Sequence, residues 1–134
     1  MVDGPSIAHL DGLVVTGRAD VVIRLDRSGS VPQLAIADYK TAAAHLPDNE
    51  LQIQTYAAAA AGEGLDVVAG WIHDLPTGRR APVPLSEERL RRATDELRRR
   101  ARRLDEGDYR PRPGEACRRC DVARLCRFAV VSTR

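Results

Sequence analysis

LDGLVVTGRADVVIRL, residues 10–25, is followed after a short break by VPQLAIADYKT, residues 31–41, and the two read as one β-hairpin. In the first, Leu13, Val15, Val21, Ile23 and Leu25 hold odd positions while Thr16, Arg18, Asp20 and Arg24 hold even ones. A period of two with one apolar face is the pattern of a half-buried strand. Asp26-Arg27-Ser28-Gly29-Ser30 supplies turn residues between the two, and the second strand stays almost wholly apolar until Asp38. An antiparallel ladder turning about Gly29 pairs residues whose numbers sum to 58, and Asp20 with Asp38 is such a pair. Directly opposed residues have Cβ atoms roughly 4.5–5.5 Å apart, so the two carboxylates can share a metal ion. Lys40, two residues beyond Asp38, falls on the same face.

Facing carboxylates cost a sheet up to about 1 kcal/mol, more where Ala35, Ile36 and Ala37 imply burial. A divalent cation offsets that cost, because magnesium and manganese prefer carboxylate oxygen. A salt bridge from Lys40 to both aspartates is the alternative. Lys40 is the only lysine among 21 basic residues, all others being arginine. A chain that otherwise uses arginine for every positive charge keeps a compact point charge here, where a planar fork does not substitute.

Working outward, Pro47, Asp48 and Asn49 open a helix over 49–62 that ends at glycines, its alanine-rich end suited to close packing on a sheet. Within it Gln52 and Tyr56 are four apart and share a face. Asn49-Glu50-Leu51-Gln52 also fits a capping box, and Tyr56 also fits ordinary core. DVVAGWIHD and RRAPVPL predict a strand pair over 66–85, with Pro82 and Pro84 confining the second to an edge. Ser86 caps a helix over 86–106 whose Leu90, Leu97 and Leu104 make a narrow apolar seam with Ala93 and Ala101 between. The expected layout is a core over residues 1–110 (hairpin 13–41, helix 49–62, strands 66–85, helix 86–106) and a cysteine-rich tail over 111–134. Such an order gives an α/β fold with a central mixed sheet flanked by helices.

The 134 residues suffice for one domain, and no stretch has the roughly 20 apolar residues of a membrane span, nor the start of a signal peptide. A soluble, cytoplasmic protein is expected. Residues 1–78 carry four basic and ten acidic side chains, residues 79–134 seventeen and nine, giving −6 and +8. An acidic metal site beside a basic surface for phosphates produces that split, and a solvated arginine helix does too. Arg91, Arg98, Arg99 and Arg102 on the second helix are the candidate DNA contacts, holding phosphates rather than reading bases. Cys117, Cys120 and Cys126 lie within ten residues, a spacing that in a cytoplasmic protein favours metal over disulfides. His9, His45 and His73 have no partner at metal-ligand spacing and read as surface or strand residues. No nucleophile-and-base arrangement is visible.

Gly17-Arg18-Ala19-Asp20, Asp38-Tyr39-Lys40-Thr41 and Gln52-Ile53-Gln54-Thr55-Tyr56 together resemble, in order and spacing, the G-x-x-D, D-Y-K-T and Q-x-x-x-Y motifs of RecB-like nucleases in the PD-(D/E)XK superfamily. The resemblance covers about residues 13–128. It implies a restriction-endonuclease-like core, with Asp20, Asp38 and the Tyr39 carbonyl binding Mg2+ or Mn2+, and Lys40 orienting water and steadying charge on the phosphate. It further implies that Gln52 and Tyr56 hold the lysine or the DNA strand. The C-x2-C-x5-C tail resembles the branch of that family in which a [4Fe-4S] cluster bound by four cysteines staples the C-terminus, a branch that includes CRISPR-adaptation and AddB-type nuclease domains. Zinc is the alternative metal, with Asp121 or a histidine completing the set. Family members carry a helix ahead of the first strand, bearing a further metal-site residue and the first cysteine. Here MVDGPSIAHLDG is a poor helix, so a missing N-terminal segment or a second subunit is expected to supply both. The implied function is metal-dependent hydrolysis of DNA, on single strands or ends, within a larger DNA repair, CRISPR or phage-defence assembly. The alternative is a non-catalytic DNA-binding or scaffolding subunit that keeps the fold.

Overall fold

The apolar run that leads to Asp38 forms the centre of the sheet. A computed structural model describes residues 6–10, 13–25, 31–41 and 46–130, excepting the side chains of 6–10, 13, 46–48 and 119. Strand β3 (Val21–Arg24) runs antiparallel to β4 (Gln33–Lys40). Val21 faces Ala37, Val22 faces Ile36, Ile23 faces Ala35 and Arg24 faces Leu34, each pair summing to 58 as a turn about Gly29 requires. The turn itself, residues 26–30, lies outside the described residues, as does His45.

Ahead of β3 the chain departs from the single strand expected over 13–25. β1 (Ser6–Leu10) and β2 (Leu13–Gly17) form their own antiparallel pair, and residues 18–20 separate β2 from β3. The alternation survives in β2, where Val15 is half-buried and Val14 exposed, and fails in β3 and just beyond it, where Ile23 and Leu25 are exposed. The irregular residues 18–20 break its phase, and β3 is an edge strand with no neighbour on its outer side in the four-stranded sheet.

That sheet has the order β3-β4-β5-β6. β5 (Asp66–Asp74) is parallel to β4 and β6 (Arg79–Pro82) antiparallel to β5, so the sheet is mixed, and β6 takes the edge and stops at its proline. A parallel neighbour requires a crossover, here helix α1 (Leu46–Gly62), which begins at Leu46 rather than Asn49 and lies against β1, β4 and β5. Ile53 of α1, wholly buried, forms a core with Ile72 and Val83, with Ala81 and Leu85 packed beside it. Gly70 of β5 permits that approach, since a Cβ there would lie 2.6 Å from Ile53 Cγ2. Ala57 and Ala59 are buried, as the alanine run requires.

Helix α2 (Glu87–Asp105) opens with Glu87 and Glu88 where the helix dipole favours acid, and the Arg89 N–H donates to Ser86 Oγ at 3.4 Å. Ala93 is buried, Leu90 and Leu97 are half-buried and Leu104 is exposed, so the apolar seam serves only the first part of the helix. The chain divides into two units, residues 1–101 and 102–134. In the second, Gly107 at φ 69 follows the helix end, Arg103 and Arg110 both donate to Asp108, and a 3-10 helix spans Glu115–Arg119. Among the described residues no helix is long and apolar enough to cross a membrane.

Candidate active site

Asp38 and Lys40 take alternate positions at the end of β4 and so share the face that α1 covers. Asp38 is 2% exposed. Lys40 Nζ sits 2.5 Å from Asp38 Oδ2, yet that buried oxygen receives no aligned hydrogen bond. The contact is one of charge alone, and an ionised carboxylate this deep requires a cation beside it.

Gln52 reaches this pair from α1. Its Nε2 donates to Asp38 Oδ1 at 3.3 Å and to the Tyr56 hydroxyl at 2.9 Å, while its Oε1 accepts from Lys40 Nζ at 3.1 Å. The Tyr56 hydroxyl in turn donates to the Arg18 carbonyl at 3.0 Å. One amide therefore senses acid, base and phenol at once, and its orientation is fixed by the carbonyl beyond them. The capping-box alternative for Gln52 is excluded, because α1 starts before Asn49 and the amide is engaged elsewhere. Tyr56 is buried, and its ring lies so close to Gly17 that a Cβ there would stand 2.5 Å from Cε1. Gly17 thus belongs to the site by what it lacks.

The β3–β4 ladder ends at Val21, one residue short of Asp20. Asp20 is exposed, and its Oδ2 accepts from the Tyr39 N–H at 2.8 Å. Both carboxylates therefore flank the Asp38–Tyr39 peptide. Of the alternative salt bridge from Lys40 to both aspartates, only the Asp38 half is made, while Asp20 turns to backbone.

Among the described residues no three His, Cys, Asp or Glu side chains are grouped to hold a metal. Two carboxylates still fit a hard cation that keeps several waters and takes substrate phosphate oxygens, as magnesium does. Asp38 Oδ2, buried beside the Lys40 ammonium and without a hydrogen-bond partner among the described residues, is the atom such an ion would take. The cysteines differ. Cys117 is half-buried, Cys120 and Cys126 are exposed, and all three are free thiols that do not gather into one ligand set. By themselves the three thiols are one ligand short of the four that a [4Fe-4S] cluster or a structural zinc takes. Backbone N–H groups of Gly114 and Val130 hold the Cys117 thiol below its ordinary range.

The arginines expected to meet DNA are mostly occupied within α2. Arg91 and Arg98 pair with Asp95 at 3.9 and 3.2 Å, and Arg99 and Arg100 each pair with Glu96 at 2.7 Å. Those two arginines, Arg100 foremost, hold the Glu96 carboxyl below its usual range. Arg102 carries no ion pair among the described residues. His73 lies in β5 with its ring 5.4 Å from that of Tyr39, and His9 lies in β1 with its side chain outside the described set.

Of the residues singled out in the sequence, the fold joins Asp38, Lys40, Gln52 and Tyr56 in one network and sets Asp20 on the Tyr39 N–H beside it. Sequence reasoning missed the Arg18 carbonyl and the packing role of Gly17, which no spacing rule signals. A family model described as the PD-(D/E)XK nuclease superfamily matches residues 2–127. No curated protein matches the chain.

Proposed function

The chain belongs to the PD-(D/E)XK nuclease superfamily, and from that premise we propose that it hydrolyses DNA phosphodiesters, at single strands or ends, with Mg2+ or Mn2+ as its cofactor. The observation that carries the reading is the closed network of Asp38, Lys40, Gln52 and Tyr56 at one end of the sheet.

Asp20, Asp38 and the Tyr39 carbonyl would hold the ion, which when bound supplies Lewis acidity and a more acidic water. Lys40 has a second holder in Gln52 Oε1, so its ammonium keeps its place independently of Asp38 and can meet charge developing on the phosphate. Gln52 keeps its carbonyl toward Lys40 because the Tyr56 hydroxyl, donating to Arg18, offers its lone pairs to the amide N–H. Burial of Asp38 keeps bulk water from the side of the carboxylate that faces α1.

The test is cleavage of a labelled single-stranded oligonucleotide in Mg2+ or Mn2+. Lys40→Ala and Asp38→Asn should each lose at least about a hundredfold in rate, and Lys40→Ala should retain DNA binding. A Lys40→Ala protein that cuts at the parental rate would return the chain to the scaffolding alternative.

For the cysteine tail we infer a structural metal, [4Fe-4S] before zinc, bound only when a partner or a further segment supplies the fourth ligand. Three thiols, one already acidified, support this reading. Anaerobic reconstitution of the chain alone should give a substoichiometric, oxygen-labile cluster; a stable full-occupancy one would overturn the need for a partner.

A further inference from the structure

Several arginines of α2 are engaged with carboxylates of their own helix, whereas two arginines of the sheet are not. Arg79 and Arg80 open β6, are exposed, and carry no ion pair or side-chain hydrogen bond among the described residues. The register places one of them beside the site. Lys40 pairs with Asp74 across β4 and β5, and Asp74 pairs with Arg79 across β5 and β6, so the three form a row across the sheet. The Leu75 N–H donates to the Lys40 carbonyl at 2.9 Å, fastening the β5–β6 turn to the end of β4.

Face follows from alternation. Ala81 packs on the core formed by Ile53 of α1, and Arg79, two residues earlier on β6, shares that face. It is the face on which Lys40 meets Gln52. Arg80 pairs with His73 and falls on the opposite face. Asp74, the acid between Lys40 and Arg79, accepts from the Thr77 hydroxyl and makes no direct ion pair with Arg79 among the described residues, so the guanidinium fork keeps its donors available. Gly78 at φ 68 closes the turn tightly enough for this row to form.

Resting on the nuclease reading above, we propose that Arg79 is a backbone-phosphate clamp, gripping the DNA strand a short way along from the phosphate that Asp38 and Lys40 handle. Two strand spacings separate its Cα from that of Lys40 by about 10 Å, so the two side chains meet different phosphates of one strand. A guanidinium fork takes two phosphate oxygens together, which suits a contact that must hold direction without reading sequence.

The experiment uses the full chain and a fluorescent single-stranded deoxyoligonucleotide, measuring affinity across a salt series and steady-state cleavage in Mn2+. Arg79→Ala should weaken binding by on the order of tenfold and flatten the log–log salt slope by about 0.7, the value of one phosphate contact on a single strand. KM should rise while kcat holds. Arg79→Lys should recover the slope but only part of the affinity. Arg80→Ala, the opposite-face control, should change none of these, and matching melting curves would show that both variants fold. A parental slope in Arg79→Ala, or an equal loss in Arg80→Ala, overturns the assignment while leaving the nuclease reading intact. A parent chain that neither binds nor cuts the oligonucleotide removes both.

Discussion

At Tyr56 a single hydroxyl links α1 to the backbone ahead of β3, and two substitutions separate its bond from its bulk. Tyr56→Phe removes the donor to Arg18 and the acceptor for Gln52, leaving two polar groups short of partners at a cost of about 1–3 kcal/mol. Activity should fall because Gln52 loses the constraint that keeps its carbonyl on Lys40, and a crystal structure or NMR spectrum of the Tyr56→Phe variant should show the amide turned. Gly17→Ala acts from the other side of the ring, where the new methyl would meet Cε1 at 2.5 Å. Overpacking of this kind costs about 1–3 kcal/mol and here also displaces the phenol. In a Tyr56→Ala background the same Gly17→Ala change should cost nothing further, and a thermal-melt double-mutant cycle would reveal it; full additivity would mean the contact is unimportant. Asp38, Lys40 and Gln52 were legible because strand parity and a helical turn fix which side chains share a face. Gly17 was not, since its role is a contact between residues remote in sequence, and a glycine before a turn looks the same whether or not a ring rests on it.

Among the elements, the β3–β4 hairpin register was readable from turn chemistry alone, whereas the break at residues 18–20 was not. Alternation runs straight through Gly17, Arg18 and Asp20 in the sequence, and nothing local announces that β2 leaves to pair with β1. The consequence for burial was correspondingly invisible: Ile23 and Leu25 share the apolar alternation of a core strand yet are exposed. Helix α2 makes a prediction of its own. Its apparent basicity is masked by i,i+3 and i,i+4 pairs, each worth little to stability when exposed, roughly 0–1 kcal/mol. Glu96→Gln should therefore barely change the melting temperature, yet by removing a carboxylate from beside Arg99 and Arg100 it should tighten nonspecific DNA binding and steepen its salt dependence. Unchanged binding would show those arginines to be remote from the nucleic-acid path. Gly70→Ala is the element-level test of packing. Its methyl would strike Ile53 Cγ2, so stability should drop by about 1–3 kcal/mol in denaturant titration and be partly restored by Ile53→Ala.

Across the whole molecule the two units offer different experimental handles, and that of the second is pH. In residues 102–134, Arg110 first and Arg103 second hold the Asp108 carboxyl far below the usual carboxylate range. A depressed folded-state value stabilises above the ordinary carboxylate range and is lost as pH falls toward the folded value. Acidification should consequently loosen this unit only at strongly acid pH, with Asp108→Asn removing the dependence; hydrogen exchange at residues 107–110 reads it directly. The core unit offers a different handle. Lys40 is the only lysine in the chain, its side chain is 25% exposed, and it leans on Asp38. An amine-directed acylating reagent therefore has, apart from the N-terminal amine, one place to react, and that place is the proposed reaction centre. Acylation rate measured by mass spectrometry becomes an occupancy gauge for the site: slow while the ammonium is clasped by Asp38, faster when a divalent ion takes the carboxylate, and slow again under bound DNA.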